Sequence, residues 1–180
     1  MVHIATLVVA ATAALSTTTT SAAAVGTGDG NPFAAAQQYV NPSYQAELET
    51  SIATATGTVK ETLQHMREIP SAYWLDVKSK VKSGGGLGAG GANTTTAAGI
   101  LADAASQSPA PLVTFIVYDL PNRDCRAKAS NGEICCTANA DGTCNYNAGG
   151  TCEVGLKEYQ TEYIDELASV LRAVCFVEAS

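Results

Sequence analysis

Basic charge, long apolar runs and metal-binding patterns are what this sequence has least of. Ten Lys and Arg stand against 17 Asp and Glu, for a net charge of -7. Binding to nucleic acid or an anionic membrane surface needs a cationic patch, and none survives here, so both partner classes are excluded. No HExxH, CxxC pair or other ligand spacing occurs, so no metal is expected. Residues 83–91 (SGGGLGAGG) lack the GK[ST] of a phosphate loop and read as a flexible loop, which leaves no cofactor implied. Histidine occurs twice, and His65 falls on a mostly polar helix face where water solvates it. Trp74 is the only tryptophan. With 180 residues the chain fits one ordinary domain, but it is short for a complete β/α barrel of ~250 residues.

The longest apolar run, residues 4–15 (IATLVVAATAAL), is too short for the ~20 residues of a membrane span and is followed by a hydroxyl tract. With small residues at 21–24 it reads as a cleaved signal peptide over residues 1–24, although its n-region lacks Lys and Arg. The mature chain is then expected outside the cell, secreted, with no membrane contact after cleavage. In that oxidising compartment six cysteines are expected to pair. Cys135, Cys136, Cys144 and Cys152 cluster and suffice for two local bridges, with three connectivities open. Asn93-Thr94-Thr95 is an N-glycosylation sequon in a polar loop, compatible with secretion.

Residues 25–30 (VGTGDG) form a short spacer, and residues 31–180 the folded part. Apolar residues at Leu48, Ile52, Ala55, Val59, Leu63 and Met66 predict one amphipathic helix ending near Pro70, with Gly57 a soft spot inside it. Residues 71–75 read as a short strand, 94–105 as an alanine-rich helix, and 111–120 (PLVTFIVYDL) as a strand buried on both faces. Residues 135–150 are a Cys, Gly and Asn-rich surface insertion, residues 159–173 return to helical spacing, and 174–177 begin another buried strand that holds Cys175 as a buried thiol. Alternating helix and strand implies parallel α/β architecture, here an unfinished sheet with an exposed hydrophobic edge.

Taken singly, the polar residues near residues 74–133 have ordinary explanations. A lone Trp is usually a core residue, Asp119 and Asp124 suit a turn and a surface ion pair with Arg123, and Ser130-Asn131-Gly132 suits a turn. Their joint order points elsewhere. Asn31-Pro32-Phe33, then residues 39–44 (YVNPSY), Tyr73-Trp74-Leu75-Asp76, residues 117–125 (VYDLPNRDC), Ser130-Asn131-Gly132-Glu133 and residues 159–164 (YQTEYI) succeed one another. This series resembles the opening half of the family 6 glycoside hydrolases, the cellobiohydrolases and endoglucanases, from residue 31 to the end of the chain. The VYDLPxRDC and SNGE pair is the specific part.

The resemblance implies the N-terminal portion of a distorted parallel β/α barrel, incomplete in this chain, and a monomer acting on β-1,4-glucan by inversion. Such hydrolysis passes through an oxocarbenium-like transition state and needs a carboxylic acid to protonate the leaving oxygen. The family pattern gives Asp124 an auxiliary role, raising the acid's pKa and stabilising developing positive charge. Tyr118 sits against the sugar at the cleavage point, Ser130 helps hold the attacking water, and Arg123 pairs with local carboxylates. Trp74 offers a flat face to a glucose ring, and Asp76 hydrogen-bonds its hydroxyls. The family's acid belongs in an EPDS-type motif, where this chain has Glu178-Ala179-Ser180. Ser180 thus occupies the acid's position, and a serine hydroxyl is too weak an acid for the task. The resemblance also pairs the cysteine after RD with one beyond that motif, which leaves Cys125 without its partner. The expectation is a secreted β-1,4-glucanase by descent, hydrolytically inactive as this chain. The alternative is a noncatalytic secreted glucan binder or decoy of the same fold.

Overall fold

The computed structural model describes residues 6–10, 36–82, 87–88, 91–127 and 130–175. Helix α1 (Pro42–Ile52) begins at a well-made cap: the Asn41 side chain accepts the Ser43 N–H at 2.8 Å, and Pro42 fills a first-turn position that needs no N–H donor. The single long helix expected here is two. Helix α1 stops at Ile52, and α2 (Gly57–Met66) restarts after a break, with Gly57 at φ +56°. That left-handed conformation is open to glycine at little cost, so Gly57 redirects the chain instead of softening a continuous helix. Helix α2 buries no residue, and Val59 stands in solvent. Its apolar spacing has no core to face.

Strand β2 (Tyr73–Leu75) pairs in parallel with β5 (Leu112–Val117), Tyr73 opposite Phe115 and Leu75 opposite Val117. Between them run a short 3-10 helix (Lys78–Lys80), a minimal hairpin of β3 (Leu87–Gly88) and β4 (Gly91–Ala92), and helix α3 (Ala97–Ser106). The glycine-rich stretch expected as a plain loop therefore contributes a hairpin within its described residues. Strand, crossover helix and parallel strand form an α/β unit, as alternation implies.

The third strand differs from expectation. It is β1 (Thr6–Ala10), from the segment expected to be a signal h-region, and it lies antiparallel to β5 with Thr6 opposite Ile116 and Ala10 opposite Leu112. Residues 174–177, expected as a third parallel strand, do not supply it. Val174 and Cys175 close helix α5 (Asp165–Cys175), because Leu167, Val170, Leu171 and Val174 continue the helical spacing. Phe176 to Ser180, with the expected acid position, lie outside the described residues. In the uncleaved chain the edge of β5 is covered by β1 rather than left bare, a cover that the cleavage expected near residue 24 removes.

Helix α5 is the end of a longer helical run. Helix α4 (Glu153–Glu158) leads into a π-helix (Tyr159–Ile164), so the helix starts before the expected Tyr159 and widens in its middle. The wider turn stacks Tyr159 on Tyr163 at 5.3 Å and sends Tyr163 into the core. There it joins Leu75, Phe115, Ile100, Leu101 and Leu167, all buried, so α3 and α5 cover the sheet. The cysteine cluster makes the two expected local bridges, Cys135–Cys144 and Cys136–Cys152. Among the described residues, no helix is long and apolar enough to cross a membrane.

Candidate active site

Parallel pairing brings the carboxyl ends of β2 and β5 side by side, and open α/β sheets put their ligand sites at such ends. Trp74 lies in β2, Asp76 follows it, and Tyr118 follows β5. Trp74 is 46% exposed, which removes it from the core. It meets the Tyr118 ring edge-on, with centroids 5.3 Å apart and planes at 83°. Two aromatic surfaces at right angles, one of them open to water, make a corner suited to the apolar face of a sugar ring.

Tyr118 is held by its hydroxyl, which donates to Asp124 Oδ1 at 3.0 Å. This bond to a carboxylate is the first cause that raises its pKa above the ordinary tyrosine value. Asp124 reaches it because the chain reverses sharply after β5: Asn122 and Asp124 both adopt left-handed backbone, at φ 53° and 50°. Non-glycine residues enter that region at a cost, and Asn and Asp most readily. Asn122 is secured from both ends, its N–H donating to Ile134 O at 2.9 Å and its side chain accepting the Cys136 N–H at 3.0 Å. The disulfide-linked insertion therefore braces the turn that carries Asp124.

Arg123 ties the pieces together. It donates to the Asp76 backbone oxygen at 2.8 Å, lies 5.4 Å from the Tyr118 ring centroid, and stands 3.3 Å from Asp119 and 3.9 Å from Asp124. Its carboxylate neighbours include one unlike the surface ion pair the sequence suggests. Asp119 is fully buried. The Arg123 contact is not aligned as a hydrogen bond, and neither Asp119 oxygen finds a hydrogen-bond partner among the described residues. Burial first, then the nearby Glu133 charge, pushes the Asp119 carboxyl up to about 7 against the pull of Arg123.

Asp76 faces a cation that sequence reasoning missed: Lys80 Nζ is 2.6 Å from its carboxylate and also bonds the Trp74 oxygen at 3.2 Å. The four-residue spacing was the available signal. Lys78, also missed, pairs with Glu158 at 2.6 Å and Glu162 at 3.1 Å, while its N–H donates to the Glu133 carboxylate. Glu133 of the SNGE segment is thereby fixed to the turn after β2.

Two backbone hydrogen bonds link Ser130 back to Asp124, Ala127 N to Asp124 O at 2.8 Å and Ser130 N to Ala127 O at 2.9 Å. Ser130 is exposed and its hydroxyl donates to Ala127 O, 3.4 Å away; among the described residues no hydrogen bond joins it to Tyr118, Asp124 or Trp74. Trp74, Asp76, Tyr118, Arg123 and Asp124 thus form one connected cluster, with Ser130 on its rim. Cys125 is exposed and unpaired among the described residues.

Comparisons with known proteins identify the family. A family model described as glycosyl hydrolases family 6 matches residues 33–178. A probable 1,4-beta-D-glucan cellobiohydrolase C of Aspergillus clavatus is 37% identical over 148 residues, 81% of this chain and 26% of that protein. The 1,4-beta-D-glucan cellobiohydrolase C of Emericella nidulans is 37% identical over 154 residues, covering 81% and 28%. The chain spans about a quarter of the length of these curated relatives. Among solved structures, the catalytic domain of Cellulomonas fimi Cel6B superposes with a TM-score of 0.56 at 31% identity, over 78% of this chain and 28% of that one. The catalytic core of the cellobiohydrolase Cel6A from Chaetomium thermophilum gives 0.56 at 27% identity, over 82% and 35%. The matched stretch takes in β2, β5 and the turn that carries Arg123 and Asp124, and the chain belongs to glycosyl hydrolases family 6.

Proposed function

We propose that this chain is the glucan-recognition portion of a secreted, inverting β-1,4-glucanase, with its site laid out as in a β/α barrel, and that it does not hydrolyse glucan as it stands. One observation carries the reading: the exposed Trp74 ring set against Tyr118, whose hydroxyl is fastened to Asp124. Glucose presents apolar C–H faces and equatorial hydroxyls, so the Trp74 face takes the ring while Asp76 accepts from a hydroxyl. Tyr118 then lies under the bond to be cut. Asp124 stabilises positive charge as the anomeric carbon becomes oxocarbenium-like, and Ser130 on the rim orients the attacking water. Protonation of the leaving oxygen is the step to which the described residues assign no group. The names of the relatives, cellobiohydrolases of 1,4-beta-D-glucan, support the substrate class.

The test is a titration with soluble cello-oligosaccharides, followed by the emission of Trp74, the only tryptophan. Saturable quenching is expected, with no reducing-sugar release above a buffer blank. Calorimetry should find the binding heat gone in Trp74→Ala. Absence of binding to both oligosaccharide and cellulose overturns the recognition reading. Sugar release that disappears in Asp124→Ala overturns the inactivity.

A further inference from the structure

We propose that Asn93 carries an N-linked glycan on the site-bearing face of the molecule, an inference that rests on the secretory route proposed above. Asn93-Thr94-Thr95 is the only Asn-X-Ser/Thr triplet in the sequence in which X is not proline; Asn41-Pro42-Ser43 is barred by its Pro42. The structure separates these two asparagines as clearly as the sequence does. Asn41 is buried and spent: its side chain caps α1 and donates to Thr94 O at 3.0 Å. Asn93 and Thr95 are exposed.

Within the triplet, the Thr95 hydroxyl donates to Asn93 Oδ1 at 2.6 Å, and the Thr95 N–H donates to the same oxygen at 3.1 Å. Both bonds draw on the amide oxygen and polarise the amide, and neither engages Nδ2. Among the described residues nothing accepts a hydrogen bond from Nδ2. The backbone beneath is clamped. Asn93 O accepts from the Thr96 N–H at 3.0 Å and the Thr96 hydroxyl at 3.1 Å, and it lies so close to Gly99 that a Cβ there would stand 1.9 Å from it. A side chain on Gly99 would push this loop away from α3. A fixed backbone with a free, exposed amide lets a bulky glycan remain after folding at no packing cost.

The modification transfers an oligosaccharide from a polyprenyl-pyrophosphate donor. The Asn93 Nδ2–C1 bond forms, the C1–O bond to pyrophosphate breaks, the lipid pyrophosphate leaves, and Nδ2 gives up one proton. The location has a consequence for the site. Thr95 O accepts from the Tyr73 hydroxyl at 3.0 Å, Lys80 lies 4.9 Å from the Tyr73 ring centroid, and Lys80 holds Asp76. The glycan stands beside the Asp76 edge of the glucan surface and shields that flank.

The test is to express the full chain in a eukaryotic secretory host and map peptides before and after peptide-N-glycosidase F. A glycan mass that the enzyme removes, leaving Asp at position 93, is expected. Asn93→Gln and Thr95→Ala should each abolish it, and Thr95→Ser should keep it at lower occupancy. A second version behind an unrelated signal sequence separates this proposal from the secretory reading. Glycan on that version alone, with the native chain retained in the cell, fails the secretory reading and leaves the site standing. An unmodified Asn93 in the secreted protein of both versions overturns the proposal, as does a glycan that persists in Asn93→Gln.

Discussion

The hydroxyl of Tyr163 accepts a hydrogen bond from the Tyr118 N–H at 3.1 Å while donating to the carbonyl oxygen of Leu75. One buried side chain from the π-helix thus joins the carboxyl ends of β2 and β5, one residue from Trp74 and at the root of Tyr118. Burial raises the pKa of this phenol well above the ordinary value, so it stays protonated and able to donate. The spacing of the two aromatic rings that form the candidate glucan corner is set from beneath by this atom.

Tyr163→Phe keeps the ring and its stack on Tyr159 and removes only the bridge. Leu75 O still accepts the Tyr118 N–H at 3.0 Å, so the loss is partial. A destabilisation of about 1 kcal/mol is expected in urea unfolding. The Trp74 emission of the folded variant should shift as the corner relaxes. An unchanged midpoint together with an unchanged spectrum would show that the hydroxyl does not hold the strands.

Asp119→Asn tests the buried carboxyl. Its folded pKa of about 7 lies above the ordinary carboxylate value, with Arg123, Glu133 and Tyr159 as the interacting groups around it. The folded state therefore binds the proton more tightly than the unfolded state, and this group's contribution to stability falls as pH rises from ~4 toward ~7. Asparagine cannot ionise. Relative to wild type, the variant should gain stability across that interval and lie closest to it at the acid end. Urea midpoints measured across that range check this, and parallel profiles for the two proteins would contradict it.

How much of this was legible in the sequence depended on whether a signal was local. The β2 and β5 segments and the two bridges among Cys135, Cys136, Cys144 and Cys152 follow from short-range chemistry. The ordered motifs around Trp74, Tyr118 and Arg123 identified the cluster, and the exposure of Trp74 reversed the ordinary expectation for a lone tryptophan. What escaped was settled by tertiary context. The periodicity from Leu48 to Met66 does not announce a break at Gly57, because its backbone sign is invisible to spacing. Asp119 looks like any turn aspartate until burial is known, and Tyr163 looks like any helical aromatic until the π-helix aims it at Leu75. Val174 and Cys175 suit a strand by composition and a helix by period, and the period prevailed.

Gly132→Ala should loosen the site without adding or removing a charge. A Cβ at Gly132 would stand 2.7 Å from Arg123 Cγ and 2.9 Å from Nε, and Arg123 is itself hemmed in, its side chain only 8% exposed. Arg123 must shift, and with it the contacts to Asp76 O and the Tyr118 ring. Overpacking of this kind is expected to cost about 1–3 kcal/mol in denaturant unfolding. Oligosaccharide affinity should fall with it. Wild-type stability and affinity in this variant would show that Arg123 has room to move.

The Cys136–Cys152 bridge closes a loop of 16 residues and joins the insertion to the start of α4. Gly155 packs on this corner, where an added Cβ would stand 2.7 Å from Cys135 O and 3.1 Å from Cys152 Sγ. The Cys136 N–H holds the Asn122 side chain, so the bridge also steadies the turn that presents Asp124. The double substitution Cys136→Ser with Cys152→Ser should cost about 3 kcal/mol, the value for releasing a loop of this size. The effect should reach the site: the Tyr118–Asp124 hydrogen bond depends on the strained backbone at Asn122, and losing its brace should weaken oligosaccharide binding. Opening Cys135–Cys144, whose loop spans only 9 residues, should cost less and leave binding closer to wild type. Equal losses in the two double variants, in both unfolding and titration, would show that the insertion stabilises the fold without supporting the turn.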